Sequence, residues 1–507
     1  MGPQPSGAVD RAAHAVLLAS FPGQVVPTWL QSGVDRGLGG VCLYGSNRLD
    51  VDGTARAAAD LRAPGAGVLV AADEEGGDVT RLWAGTGSPV PGNLALGAVD
   101  DPALSAEVAV ALGAALLAAG VDLALAPVAD VNVDPSNPAI GVRSFGDDAG
   151  LVARHVAATV DGLQAAGVAA CAKHFPGHGA THADSHATLP VVDADRATLD
   201  SRELVPFRAA VDAGVAAVMT AHLVVPVLDP APATYAPSII GRLLRSELGF
   251  RGAVITDALD MGGAGGPDHI PGNVVRALAA GADLCCLGPD GTDELVRACV
   301  LAITGSVTSG ALSEERLLDA AARVAAIRRP RPTDGAASGA DLAGLGLLAA
   351  RRALRIEGDL PGTLRTAHVI ELDRPPMVAA GVVPWGIGAA LAAADPTTTV
   401  RRVDPEQVEE LGIERLLAPA GGRPLVVVAR DPSRSPAQAA LLAGLLAARG
   451  DAVVVDMGWP GPAAPGGRTR VVTHGASAAS ARAVAELLVG EANLRAVTIP
   501  AERASGG

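Results

Sequence analysis

Seven times in its first three hundred residues the chain makes the same move. A short, unbroken apolar run bounded by glycine or a polar residue is followed by an alanine-rich stretch. The runs are GGVCLYG (39–45), GVLVAAD (67–73), VDLALAPVADV (121–131), GVAACAKHF (167–175), GVAAVMTAHL (214–223), GAVITDAL (252–259) and GADLCCLG (281–288). Apolarity that does not alternate suits parallel strands covered on both faces. The intervening LSAEVAVALGAALLAAG and AGLVARHVAATVDGLQAAG read as helices. Repeated β-then-α units imply a parallel sheet, and seven or eight of them imply a (β/α)8 TIM-type barrel. An eighth strand is not evident, and an open doubly wound sheet is the structural alternative.

At 507 residues the chain exceeds what one core holds, so further domains are expected. RRPRPTDGAASGADLAG, at 328–344, has the composition of a domain boundary. Strand-like runs then resume as LVVVAR (425–430), DAVVVDMG (451–458) and TRVVTHG (469–475). The expected organisation is a catalytic barrel over 1–330, a linker over 331–345 and a smaller α/β domain over 346–507.

Aromatic residues make up only 2% of the chain, so its core must be built from Ala, Val and Leu. A net charge of −15 argues against a broad nucleic-acid-binding face, which needs clustered Lys and Arg. The five cysteines, Cys42, Cys171, Cys285, Cys286 and Cys299, lie mostly in apolar runs without CxxC spacing. They read as buried free thiols. The opening MGPQPSGAVDRAAHAVLLASFPG lacks a basic segment followed by a long apolar one. No uncharged apolar run reaches the roughly 18 residues of a membrane helix. A soluble, cytoplasmic protein without a membrane partner is expected.

Polar residues gather where the strand-like runs end: DEEGG, PVADVN, KHFPGHG, TAHL and TDALDM. In (β/α)8 barrels the active site is built on that face. The densest stretch, Lys173 to Pro190, carries His174, His178, His182 and His186 at intervals of four. On a helix this spacing would align them as metal ligands, but Pro176, Gly177 and Gly179 favour a long loop with freedom to move. Within it, Asp184 and His186 place a carboxylate beside an imidazole, which can orient the ring and favour its charged form. A histidine titrating near neutrality can both give and take a proton. Asp257, directly after a buried run, could be a nucleophile, a metal ligand or a helix cap.

KHFPGHGATHADSH followed by TLPVV resembles the signature of family 3 glycoside hydrolases in their β-N-acetylhexosaminidase branch. DEEGGDVTRL, RSFGDD, MTAHLVVPVLDP and LGFRGAVITDALDMGGA match that family in the same order, and the resemblance covers about residues 10–330. The resemblance implies that Asp257 is the nucleophile of a retaining mechanism and that His186, assisted by Asp184, is the acid/base. Most retaining glycosidases use a second carboxylic acid in that role. Asp73, Arg81, Arg143, Lys173 and His174 would hold the sugar. His222 also fits the pattern, behind the reacting groups. One departure is Asp78, where the family often has a basic residue after the double glycine.

The implied substrate is a small carbohydrate ending in β-linked N-acetylglucosamine, such as a short cell-wall or chitin fragment. No cofactor is implied, since side chains can supply both protonation and nucleophilic attack. Three alternatives stand beside this reading: transfer of the sugar to phosphate, a metal-dependent amidohydrolase-type barrel, and a non-enzymatic sugar-binding module. The second needs an early HxH pair, which none of the ten histidines forms. The third needs neither a nucleophile nor an acid/base pair. The second domain offers no residue that sequence alone assigns to the site.

Overall fold

The computed structural model describes residues 7–62, 67–327, 341–407, 412–461 and 469–490. Eight parallel strands form the first sheet: β1 (Leu17–Ala19), β2 (Gly40–Leu43), β3 (Leu69–Ala72), β4 (Leu123–Ala124), β5 (Ala169–Phe175), β6 (Ala217–Thr220), β7 (Ala253–Thr256) and β8 (Cys285–Cys286). Each of β1 to β6 pairs with the next in sequence, and β8 pairs with β1. An Ile255–Leu284 bridge joins β7 to β8 and closes the ring as a (β/α)8 barrel.

The seven expected runs each supply a strand. The eighth is β1, in HAVLLAS, which the sequence reading did not separate. It has three residues and begins two positions after the helix Gly7–Ala15, so its apolar residues read as a continuation of that helix.

Alternation along the strands explains how so aromatic-poor a chain fills both sides of the barrel. Leu18, Cys42, Leu69, Ala71, Leu123, Cys171, Met219, Ile255 and Cys286 point inward as one cluster. Val324 and Ile327, from the helix Glu314–Ile327, join that cluster. Leu17, Val41, Val70, Ala124, Ala170, Val218 and Val254 face outward onto the helices. The helices start where the sequence provides caps. Asp148 accepts from Leu151 N–H at 2.7 Å to open Ala149–Ala165. Asp101, followed by Pro102, opens Pro102–Ala118. All five cysteines are buried free thiols. Among the described residues, no helix is long and apolar enough to cross a membrane.

Most of the expected linker, up to residue 340, lies outside the described residues. Its end is helical: Asp341 caps Leu342–Ala353. That helix packs on Asn93–Val99 and Pro102–Ala118 of the barrel and on Ala478–Val489 beyond it. The second sheet has the order β11-β10-β12-β13-β14-β9, from β9 (Arg355–Glu357), β10 (His368–Leu372), β11 (Thr399–Val403), β12 (Leu425–Ala429), β13 (Val453–Asp456) and β14 (Arg470–Val472). Only β9 runs antiparallel. A smaller α/β unit thus follows the barrel, with its own core around Val426, Val428, Val453 and Val471.

The two units meet through an apolar cluster of Leu94 and Val142 with Trp459 and Met377. A buried ion pair, Arg430 to Asp78 at 2.6 Å, reinforces the contact. Asp78 also accepts from Ala476 N–H at 2.7 Å. The departure noted in the sequence at position 78 is therefore an interdomain anchor.

Candidate active site

At the C-terminal ends of the strands a cavity of about 220 Å³ is lined by Asp73, Glu75, Arg81, Arg143, Lys173, His174, His186 and Asp257. Seven of the eight residues singled out in the sequence thus share one cavity. The eighth, Asp184, stands behind His186. Four strands bring them together: β3 leads into Asp73 and Glu75, β5 carries Lys173 and His174, and β7 ends just before Asp257. β4 leads into the segment that bears Arg143.

Asp257 accepts from Ala258 N–H at 2.8 Å. Burial pushes its carboxyl up, but His174, His222 and His186 outweigh that and hold it down at about 2. It is therefore ionised at any ordinary working pH, as a nucleophile must be. His222 donates through Nε2 to Ala258 O at 3.0 Å and fixes the turn that carries Asp257.

His186 lies on the loop between β5 and β6. Its Nδ1 donates to Asp184 Oδ1 at 2.6 Å, and its backbone N–H donates to the same oxygen at 2.9 Å. This leaves Nε2 for the mobile proton. Burial lowers the affinity of the ring for that proton, but the Asp184 hydrogen bond and the Asp257 charge reverse the effect and raise it above the ordinary histidine value.

The expected long loop is present from Pro176 onward, with no helix before Arg196, while Lys173, His174 and Phe175 still belong to β5. Its backbone is anchored in this conformation by the turn after β7. Gly262 and Gly263 N–H donate to His186 O and Ser185 O at 3.0 and 2.9 Å. A Cβ on Gly262 would sit 2.4 Å from Ala187 O, so only glycine lets these backbones approach. His178 holds Ser185 Oγ through Nε2 at 3.0 Å. The four regularly spaced histidines therefore part company. His174 and His186 line the cavity, His178 is a buried brace, and His182 is exposed and paired with Asp134. No group that could hold a metal occurs among the described residues.

The sugar-binding candidates form one charge network. Lys173 Nζ bridges Asp73 at 2.7 Å and Glu75 at 2.6 Å. Arg143 grips Glu75 through Nε and Nη2 at 2.9 and 2.7 Å, and Nη2 lies 3.3 Å from His174 Nε2. His174 Nδ1 donates to buried Asp130 at 2.7 Å. Burial opposes ionisation of Asp73 and Glu75, yet the cations beside them win and hold both carboxyls below their usual range. Such pairing fixes each donor before a ligand arrives.

Arg81 is engaged differently from its neighbours. It is 3.6 Å from Asp73, but it donates to Ala379 O at 2.6 Å and Ala380 O at 3.1 Å in the second domain.

Sequence reasoning did not find several lining or supporting residues. Glu75 and Asp130 lay inside segments it singled out, DEEGG and PVADVN, but their partners are distant in sequence. Asp260, three residues after Asp257, lines the cavity with one buried carboxyl oxygen that has no hydrogen-bond partner. Val378 and Ala379 complete the wall from the second domain, with no local signal to announce them.

Known proteins resemble the chain in sequence and in fold. Residues 29–327 match the family described as glycosyl hydrolase family 3 N terminal domain. A solved glycoside hydrolase family 3 β-N-acetylglucosaminidase from Paenibacillus sp. str. FPU-7 shares 32% identity at a TM-score of 0.85. That match covers 97% of this chain and 99% of the other, so it includes both domains. A β-hexosaminidase of Thiobacillus denitrificans is 40% identical over 271 residues, which is 51% of this chain and 74% of that protein. β-Hexosaminidase A of Pseudoalteromonas piscicida is 33% identical over 289 residues, and the match spans 53% of this chain but only 48% of that longer protein.

Proposed function

The chain belongs to glycosyl hydrolase family 3, and from that membership we propose that it is a retaining, exo-acting β-N-acetylglucosaminidase for short cell-wall or chitin-derived glycans. The observation that carries this reading is the meeting, in one cavity, of an ionised carboxylate and a histidine whose other ring nitrogen is held by a second carboxylate.

In the first step His186 Nε2–H protonates the glycosidic oxygen while Asp257 attacks the anomeric carbon. The bond to the leaving group breaks, a bond from the carbon to the Asp257 oxygen forms, and the alcohol departs. In the second step neutral His186 takes a proton from water. The water oxygen bonds to the anomeric carbon and Asp257 is released as carboxylate. Asp184 stabilises the imidazolium that stands ready before the first step and is re-formed in the second. Asp73, Lys173, Arg143 and His174 bind the hydroxyls of the terminal sugar, and a site built to pair them discriminates against sugars lacking them.

The test is release of nitrophenol from 4-nitrophenyl β-N-acetylglucosaminide by wild type and Asp257→Ala, with and without phosphate. The expected result is phosphate-independent release that falls by about 10⁴-fold or more in the variant. Sugar phosphate as the product would convert the reading to phosphorolysis with the same nucleophile. Undiminished release by the variant would remove Asp257 from the mechanism.

A further inference from the structure

The catalytic cavity opens into a second and larger space. A cleft of about 830 Å³ runs between the barrel and the second domain. Tyr44, Arg81, Pro289, Val378 and Ala379 line both spaces, so the cleft is the outward continuation of the cavity. The inner volume of about 220 Å³ falls below the roughly 300–1,000 Å³ of sites that take drug-sized ligands. It suits one sugar unit. Whatever that sugar is attached to must leave through the cleft.

The walls of the cleft indicate what kind of group that is. Five arginines line it, but the three from the second domain are each tied to a carboxylate. Arg374 holds Asp431 at 2.6 Å, Arg402 holds Glu371 at 2.7 Å and Arg430 holds Asp78 at 2.6 Å. Arg81 is fixed on Ala379 O and Ala380 O. Trp385, the obvious stacking platform, already carries the Arg402 guanidinium 4.8 Å from its ring centroid. Apart from exposed Arg48 on the barrel side and Asp373, which faces Arg402 at 3.4 Å, what remains open to a ligand is largely aliphatic. Val378 and Val382 are 63% and 82% exposed, with Pro376, Val383 and Pro384 around them and Pro289 on the barrel side. Exposed valines in a lined cleft, next to a site that must release an alcohol, mark a place where apolar area is removed from water on binding.

We infer that the second-domain segment 376–384 forms the leaving-group subsite, and that this subsite selects glycosides whose leaving group presents an apolar face, such as an alkyl or aryl chain. The inference rests on the glycosidase reading above. Arg81 is the positioning residue that holds this segment against the sugar-binding carboxylates.

The experiment compares methyl, butyl, hexyl and 5-carboxypentyl β-N-acetylglucosaminides, whose leaving alkoxides have similar basicity. In wild type kcat/KM should rise with chain length by about two- to four-fold per methylene over the first few carbons. The carboxypentyl compound should fall below hexyl. In Val382→Ser, and more so in Val378→Ser/Val382→Ser, the slope against chain length should flatten. A flat wild-type series, an unchanged slope in both variants, or a preference for the carboxylate, drawn to the rim by Arg48, would each overturn the inference. Dissociation constants of the corresponding S-alkyl 1-thioglycosides, measured by calorimetry, read the same slope without turnover. No turnover of any O-glycoside together with a slope in binding would overturn the glycosidase reading and leave the subsite standing. Turnover without a slope in either measurement would do the reverse.

Discussion

The 2.6 Å contact between Asp184 and His186 Nδ1 sets the pH range over which the ring can act as an acid. The proton affinity of His186 is raised in the folded protein, so its protonated form persists to higher pH than in a free histidine. Asp184→Asn removes the charge that raises it. The alkaline limb of kcat/KM should therefore move to lower pH, with a loss of about 10²-fold or more at the optimum. A pH–rate profile with an unmoved limb would separate Asp184 from the acid/base function. Asp257, held at about 2, contributes no limb in the same range. Asp260 has the opposite character. Burial, and then the nearby charges of Asp257 and Asp290, push its carboxyl up. The folded state therefore binds its proton more tightly than the unfolded chain does. The resulting penalty is absent below the ordinary carboxyl range and grows as pH rises through it. Asp260→Asn should be more stable than wild type by about 1 kcal/mol at pH 8, with the gap closing towards pH 4, as read by chemical denaturation. The Asp184 and His186 pair was legible in the sequence because a single residue separates carboxylate from imidazole. Glu75 and Asp130 were not, because each acquires its role from a cation or imidazole more than forty positions away.

At the scale of elements, the segment after β7 anchors the loop that carries His186. The Gly262 and Gly263 N–H groups hold the 185–187 backbone, and the approach is too close for a side chain. Gly262→Ala should displace His186 and slow turnover by about 10²-fold, the usual cost of a shift of about 1 Å in a reacting group. The ionised state and position of Asp257 should change little, so kcat should fall more than binding of a substrate analogue weakens. Equal kcat in the variant would show that the loop reaches its place without this anchor. The sequence indicated the loop correctly from Pro176 and its glycines, but not the hydrogen bonds that hold it, because the partners come from another strand end. β1 escaped for a related reason. Three residues give no period to read, and only their pairing with β2 and β8 makes them a strand.

At the scale of the whole molecule, the two domains share the cavity wall, and Asp78 with Arg430 holds them together. Asp78→Ala leaves a buried guanidinium without its carboxylate, a change that costs about 3–5 kcal/mol in comparable sites. The variant should unfold at lower denaturant concentration, and the Arg430→Met change combined with it should recover part of the loss. Strict additivity in that double-mutant cycle would mean that the pair does not couple the domains. The sequence marked position 78 as unusual, but its partner is 352 residues away and no local pattern leads to it. The barrel was legible because each of its units repeats, whereas the docking of the second unit is a single event with no period. The segment 73–82 carries both kinds of information. Asp73 and Glu75 face the cavity, while Asp78 and Arg81 bond to the neighbouring domain. A chimera that exchanges only the second domain with a relative would arrive without its matching socket. Recombination in this architecture should succeed when that ten-residue stretch travels with the partner it fits, which makes a loop of the barrel part of the inheritance of the other domain.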